Sequence, residues 1–133
     1  MGQFHLALVI LTVYLISPIW GHDSDVGVHI ISNVTNGLKV HCKSKDDDLG
    51  MHTLNNGQEY TWRFRPHIFG RTLFFCHFYW EEKQKSFAVY DIHLVIRYCN
   101  DLTLICDFYW LVTPRYFGVS ANNKVSWDRI NYW

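Results

Sequence analysis

The sequence predicts an all-β protein: a small antiparallel β-sandwich, immunoglobulin-like, with seven or eight strands and two disulfides. Three observations carry that expectation. Beyond residue 21, apolar side chains recur with a period of two, the period of a strand. Turn signals return about every eight to twelve residues, the spacing of a sandwich. All four cysteines lie in the same stretch.

The front end differs. Residues 4–16, FHLALVILTVYLI, are almost wholly apolar, and Ser17-Pro18 breaks the run. A membrane-spanning helix needs about 20 such residues, so a run of about 13 reads as the core of a secretory signal peptide. The residues before it lack Lys and Arg, and SPIWGH offers cleavage after Gly21. Residues 1–21 are therefore expected to be a signal peptide and residues 22–133 the mature domain. The protein is expected to be secreted and extracellular, with no membrane insertion after cleavage.

In the mature part, Leu38, Val40 and Cys42 alternate with Lys39, His41 and Lys43. Tyr60, Trp62 and Phe64 alternate with Thr61, Arg63 and Arg65. Phe74, Cys76, Phe78 and Trp80 share one face, as do Leu104, Cys106, Phe108, Trp110 and Val112. These sulfur-bearing and aromatic faces are expected to form the core. Residues 87–99, FAVYDIHLVIRYC, are β-rich with weaker alternation, Asp91 marking a bend or turn. Asn36-Gly37 and Asn56-Gly57 suit type I′ turns, because both residue types accept positive φ, and predict two hairpins. No helical stripe of useful length follows residue 21.

Cys42, Cys76, Cys99 and Cys106 form no C-x-x-C pair, so they read as two disulfides of an exported domain, with no metal cage. Four cysteines allow three pairings. Cys99 with Cys106 would close only a short loop, which gains least in loop entropy, and the balance favours Cys42–Cys106 with Cys76–Cys99. Twelve basic and twelve acidic residues cancel, which argues against a nucleic-acid partner or a polybasic membrane clamp.

Candidate chemistry is sparse. Asn33-Val34-Thr35 is a glycosylation sequon, making Asn33 the expected glycan site. The acidic run Asp46, Asp47, Asp48 could attract calcium. A 12-residue calcium loop started at Asp46 ends on Gly57, and one started at Asp48 has Gly50 third and Thr53 sixth. Both frames fail, and an exposed loop is expected instead. His22, His29, His41, His52, His67, His77 and His93 are scattered, without H-E-x-x-H or G-x-S-x-G. No enzyme activity, cofactor or metal is expected.

The run VHCKSKDDDLG, and then W-x-F followed by G-x-T-L-F-x-C-x-F-x-W within YTWRFRPHIFGRTLFFCHFYW, resembles the plant self-incompatibility S-protein homologues, typified by the poppy stigmatic S-protein. FAVYD and the Cys99, Cys106, Trp110 segment extend the similarity across the mature chain. The fit is looser in the last third, where TPRYFGVSANN replaces a D-G turn. The resemblance implies a secreted β-sandwich with two disulfides, often glycosylated, whose founding members are stigma ligands recognised by a pollen membrane protein. Asp46, Asp47, Asp48, Leu49 and Gly50 then form a shared structural loop.

The expected function is that of a signalling ligand whose loops are read by an unidentified plant cell-surface receptor, the protein being a monomer. Loops carried on a rigid scaffold are where recognition concentrates. The candidates are Glu81, Glu82, Lys83, Gln84 and Lys85; Asn100 and Asp101; and the loop around Arg115. The alternative is a secreted defence or carbohydrate-binding module using Phe75, Tyr79 and Tyr109 as a flat platform.

Overall fold

A computed structural model describes residues 25–67, 71–99, 105–122, 124 and 126–133. The expected signal peptide lies outside these residues, as do Asn100 and Asp101. In chain order the elements are β1 (Val26–Ser32), β2 (Leu38–Lys43), β3 (Asp48–Leu54), β4 (Glu59–Phe64), β5 (Phe74–Trp80) and β6 (Lys83–Tyr90). A helix, α1 (Ile92–Tyr98), follows, then β7 (Phe108–Val112), β8 (Tyr116–Ala121) and β9 (Asp128–Tyr132). The strands form a five-stranded sheet, β4-β1-β7-β8-β9, and a four-stranded sheet, β3-β2-β5-β6. All strand pairs are antiparallel except β1 with β7.

The sandwich forms because the alternating rows present one apolar face each. Val26, Val28 and Ile30 of β1, Phe108, Trp110 and Val112 of β7, and Phe117 and Val119 of β8 are buried from the five-stranded side. Leu38, Val40 and Cys42 of β2 meet them from the other side, with Phe74, Cys76, Phe78 and Trp80 of β5. Polar tips of the large rings find backbone partners, as buried indoles require. Trp110 Nε1 donates to the Val89 carbonyl of the opposite sheet at 3.0 Å. Trp80 Nε1 donates to Thr35 O and Trp133 Nε1 to Thr113 O, each at 2.7 Å. Trp62 Nε1 is buried without a hydrogen-bond partner.

Four sequence expectations need correction. Cys42 pairs with Cys76, and Cys99 with Cys106. Register decides the first bridge: Cys42 and Cys76 are directly opposed on β2 and β5, with Cα atoms 4.0 Å apart. That leaves Cys99, at the end of α1, for Cys106 just before β7. Loop entropy ranks pairings only when geometry leaves them equally open, which it does not here.

The run 87–99 is not one β segment. β6 stops at Tyr90, and Asp91 caps a helix by accepting the Leu94 amide at 2.8 Å. Leu94 and Val95 face the core. The two Asn-Gly dipeptides do not close hairpins either. Asn36 and Gly37 both take positive φ (68° and 80°), as a type I′ turn needs, but they carry the chain from one sheet to the other. At the second, only Gly57 has positive φ, and that connection also changes sheets. Finally, Lys83, Gln84 and Lys85 belong to strand β6, leaving Glu81 and Glu82 alone as the turn after β5.

Candidate functional site

Strand directions sort the connections onto two ends of the sandwich. One end gathers the β1–β2, β3–β4, β5–β6 and β7–β8 connections. Hydrogen bonds hold them to each other: Asn33 N to Val112 O at 2.8 Å, Ser32 N to Gln58 O at 2.9 Å, and Asn36 Nδ2 to Glu81 Oε1 at 3.2 Å. Asn33, Glu81, Glu82 and Arg115 are all exposed there. Arg115 sits in a turn pinned by Thr113 Oγ1, which accepts the amides of Arg115 and Tyr116 at 3.3 and 3.0 Å. The sequon and two of the three recognition segments therefore share one rim.

The acidic run lies at the opposite end. Ser44 to Asp47 make the β2–β3 hairpin turn, closed by Ser44 N to Asp47 O at 2.8 Å and Asp47 N to Ser44 Oγ at 3.1 Å. Asp46 and Asp47 are exposed, whereas Asp48, Leu49 and Gly50 already belong to β3. Asp48 accepts the Gly50 amide at 2.9 Å and meets His41 Nε2 at 2.6 Å. The Gly50 amide and the His41 contact hold its carboxyl below the usual range. Gly50 has φ of 79°, a conformation that suits glycine and explains the glycine after the acids. A cleft of about 710 Å³ opens between this turn and Arg65, His67 and Arg71. Among the described residues, no group of three or more His, Cys, Asp or Glu is placed to hold a metal ion.

A polar cluster that no local motif signals lies on the outer face of the five-stranded sheet. His29 of β1 places Nδ1 2.9 Å from both Glu59 Oε2 and Thr61 Oγ1, and Nε2 3.1 Å from Asp107 Oδ2. Its ring stacks on Tyr109 at 4.1 Å. Asp107 also accepts the Gly27 amide at 2.8 Å, with Arg63 at 3.4 Å. Lys124 reaches Glu59 at 3.0 Å. Register builds this: β1 against β4 sets His29 opposite Thr61, and the parallel pairing sets it opposite Tyr109. A histidine between two carboxylates suggests acid–base chemistry, but both ring nitrogens are engaged and neither is aimed at open space. The cluster ties β1, β4 and β7 together.

Its pH dependence follows. Burial pushes Asp107 up, but the Gly27 amide, His29 and Arg63 together outweigh it and hold the carboxyl below its ordinary 3.8. Burial also pushes Glu59 up, and His29, Lys124 and Thr61 bring it below 4.5. Carboxyls lowered in the folded state add stability above their unfolded values, and that stability is lost as pH falls through the folded ones. Unfolding midpoints should therefore fall as pH drops below about 4.5. Asp107→Asn should flatten this acid limb and cost about 1–3 kcal/mol at pH 7. An unchanged acid limb in urea titrations of the variant would remove Asp107 from the account.

Phe75 and Tyr79 lie on the outer face of the four-stranded sheet, Tyr109 on the outer face of the other. They cannot form one platform.

The described residues make a two-sheet, doubly bridged β-sandwich with a polar rim. The profile of plant self-incompatibility protein S1 matches residues 27–133, and the chain belongs to that family. It is 33% identical to S-protein homolog 29 of Arabidopsis thaliana over 99% of this chain and 96% of that protein. It is 36% identical to S-protein homolog 3 over 67% of this chain, and 47% identical to S-protein homolog 5 over 48%, both also from Arabidopsis thaliana. The match spans 65% of homolog 3 and 50% of homolog 5.

Proposed function

We propose that this protein is a secreted, non-enzymatic signalling ligand, read through one rim of its sandwich by a plant cell-surface receptor. Residues 1–21 serve as the signal peptide, Asn33 carries a glycan, and the mature protein acts as a monomer. The observation that carries the reading is the convergence of exposed Asn33, Glu81, Glu82 and Arg115 on neighbouring turns at one end. A rigid scaffold lets such turns offer a fixed pattern of charge at little ordering cost. The engaged nitrogens of His29 support a non-catalytic role. Membership of a self-incompatibility family supports a role in cell–cell recognition.

The test is binding of labelled, oxidised protein to plant cell surfaces, with cross-linking and mass spectrometry of the captured species. Replacing all of residues 81–85 would disturb β6, so Glu82→Ser with Arg115→Ser is the cleaner variant. It should keep its melting temperature and lose at least about tenfold in cell binding, the scale of a lost charged contact pair. Undiminished binding would remove this rim from the recognition surface.

A further inference from the structure

On the outer face of the four-stranded sheet, β2 and β5 set three basic side chains directly opposite three rings. Lys39 faces Tyr79, His41 faces His77, and Lys43 faces Phe75. One cross-strand pair and two rings of β5 are in contact. Lys43 Nζ lies 5.6 Å from the Phe75 centroid, and His77 stacks on Tyr79 at 4.2 Å with the rings 1° from parallel. Rungs of this kind repeat every second residue, about 6.6–6.8 Å along the strand.

The flanks are low. On the β6 side Gln84, Ser86 and Ala88 stand opposite Tyr79, His77 and Phe75. Gln84 Oε1 accepts from His77 Nε2 at 2.9 Å. On the β3 side Met51 and Thr53 stand opposite His41 and Lys39. Two carboxylates border the rungs: Asp48, opposite Lys43 and engaged by His41 and the Gly50 amide, and Glu81, which lines the same depression as Lys39 and Tyr79. Lys39 is exposed and has no ion-pair partner among the described residues.

At the Tyr79 end the ladder opens into a depression of about 460 Å³ lined by Asn36, Gly37, Lys39, Met51, Tyr79 and Glu81. Glu81 has φ of 54°, in the left-handed region, in a two-residue hairpin where glycine would sit without strain. Its carboxylate accepts from Asn36 Nδ2 at 3.2 Å. A strained residue is thus kept where its side chain, together with an amide, edges the depression beside an aromatic ring.

We propose that this ladder binds a uronic-acid oligosaccharide, one sugar ring seated in the depression and the acidic chain running along Lys39, His41 and Lys43. The class follows from the groups present. His77 covers one face of the Tyr79 ring, and the depression lies beside the same residue, where the C–H face of a pyranose can stack. Asn36 and Glu81 supply a donor and acceptors for hydroxyls. The two lysines supply charge-assisted bonds to carboxylates spaced along a polymer. A polyphosphate fits less well, because it has neither a pyranose C–H face for Tyr79 nor hydroxyls for Asn36 and Glu81. The site shares Glu81 with the proposed receptor rim, but Lys39, His41 and Lys43 lie outside that rim and Glu82 and Arg115 take no part in the rungs, so the lysine variants test it independently.

The experiment is isothermal titration of the oxidised protein with three probes: an oligogalacturonate, a cello-oligosaccharide of the same length, and single-stranded RNA. The oligogalacturonate should bind, more weakly as salt rises, and the other two should bind at least about tenfold less tightly. Lys39→Gln with Lys43→Gln should keep the melting temperature and weaken binding at least about tenfold. Glu81→Gly should raise the melting temperature while still weakening binding, the mark of a strained residue kept for its side chain. Absence of oligogalacturonate binding overturns the proposal, as does equal affinity for the neutral oligosaccharide or for RNA. Full binding by the double lysine variant or by Tyr79→Ala overturns it as well.

Discussion

Trp110→Ala should destabilise the protein by about 3–5 kcal/mol, the cost of removing a fully buried large aromatic. Trp110 has no exposed surface, lies 5.0 Å from the Phe87 ring, and bonds the Val89 carbonyl across the gap between sheets. The substitution therefore opens a cavity and strands a buried acceptor together. Trp110→Phe separates the two effects, because it keeps most of the volume and loses the hydrogen bond. It should cost more than Trp62→Phe, whose indole nitrogen already lacks a partner. Urea midpoints of the three variants check the ranking. If Trp110→Ala costs under about 1 kcal/mol, this indole does not tie the sheets together.

Removing the Cys42–Cys76 bridge by a double Ala substitution should cost roughly 3–4 kcal/mol, from a sequence separation of 34. Removing Cys99–Cys106, with a separation of 7, should cost roughly 2 kcal/mol on the same model. The first bridge also lies between two buried side chains at the centre of the four-stranded sheet, so its loss leaves poorly filled space. Guanidinium unfolding of both double variants gives the order, and non-reducing peptide mapping gives the pairing directly. Equal costs would mean that loop closure is not what the bridges contribute. A mapped Cys42–Cys106 fragment would refute the register of β2 against β5.

Local pattern was legible and partnership was not. The rows Phe74, Cys76, Phe78, Trp80 and Phe108, Trp110, Val112 were read as core from alternation alone, since a strand face is a property of neighbours two apart. The positive φ of Asn36 and Gly37 was equally local. Which strand follows such a turn into which sheet depends on the rest of the fold, so both Asn-Gly dipeptides suggest hairpins that the fold does not make. The same limit hid the disulfide pairing and the His29 cluster, whose members come from β1, β4 and the approach to β7. Helix α1 was missed for another reason. Ile92, Val95 and Ile96 favour strands, and seven residues give too few turns for a helical period to show. The Asp91 cap and Arg97 in the last turn were its local marks. Of the candidate rim, the polar turns were visible in sequence, but their gathering at one end of the sandwich was not.

Strand β1 lies between β4 and β7, and its parallel neighbour comes from the last third of the chain. During synthesis, therefore, the first strand to emerge can dock on β4 but must hold an open flank until the ribosome has delivered most of the polypeptide. Contacts between such distant segments form slowly, and an unfilled strand flank invites pairing with other nascent chains. Closure of the five-stranded sheet around β1 therefore waits on the last third of the chain.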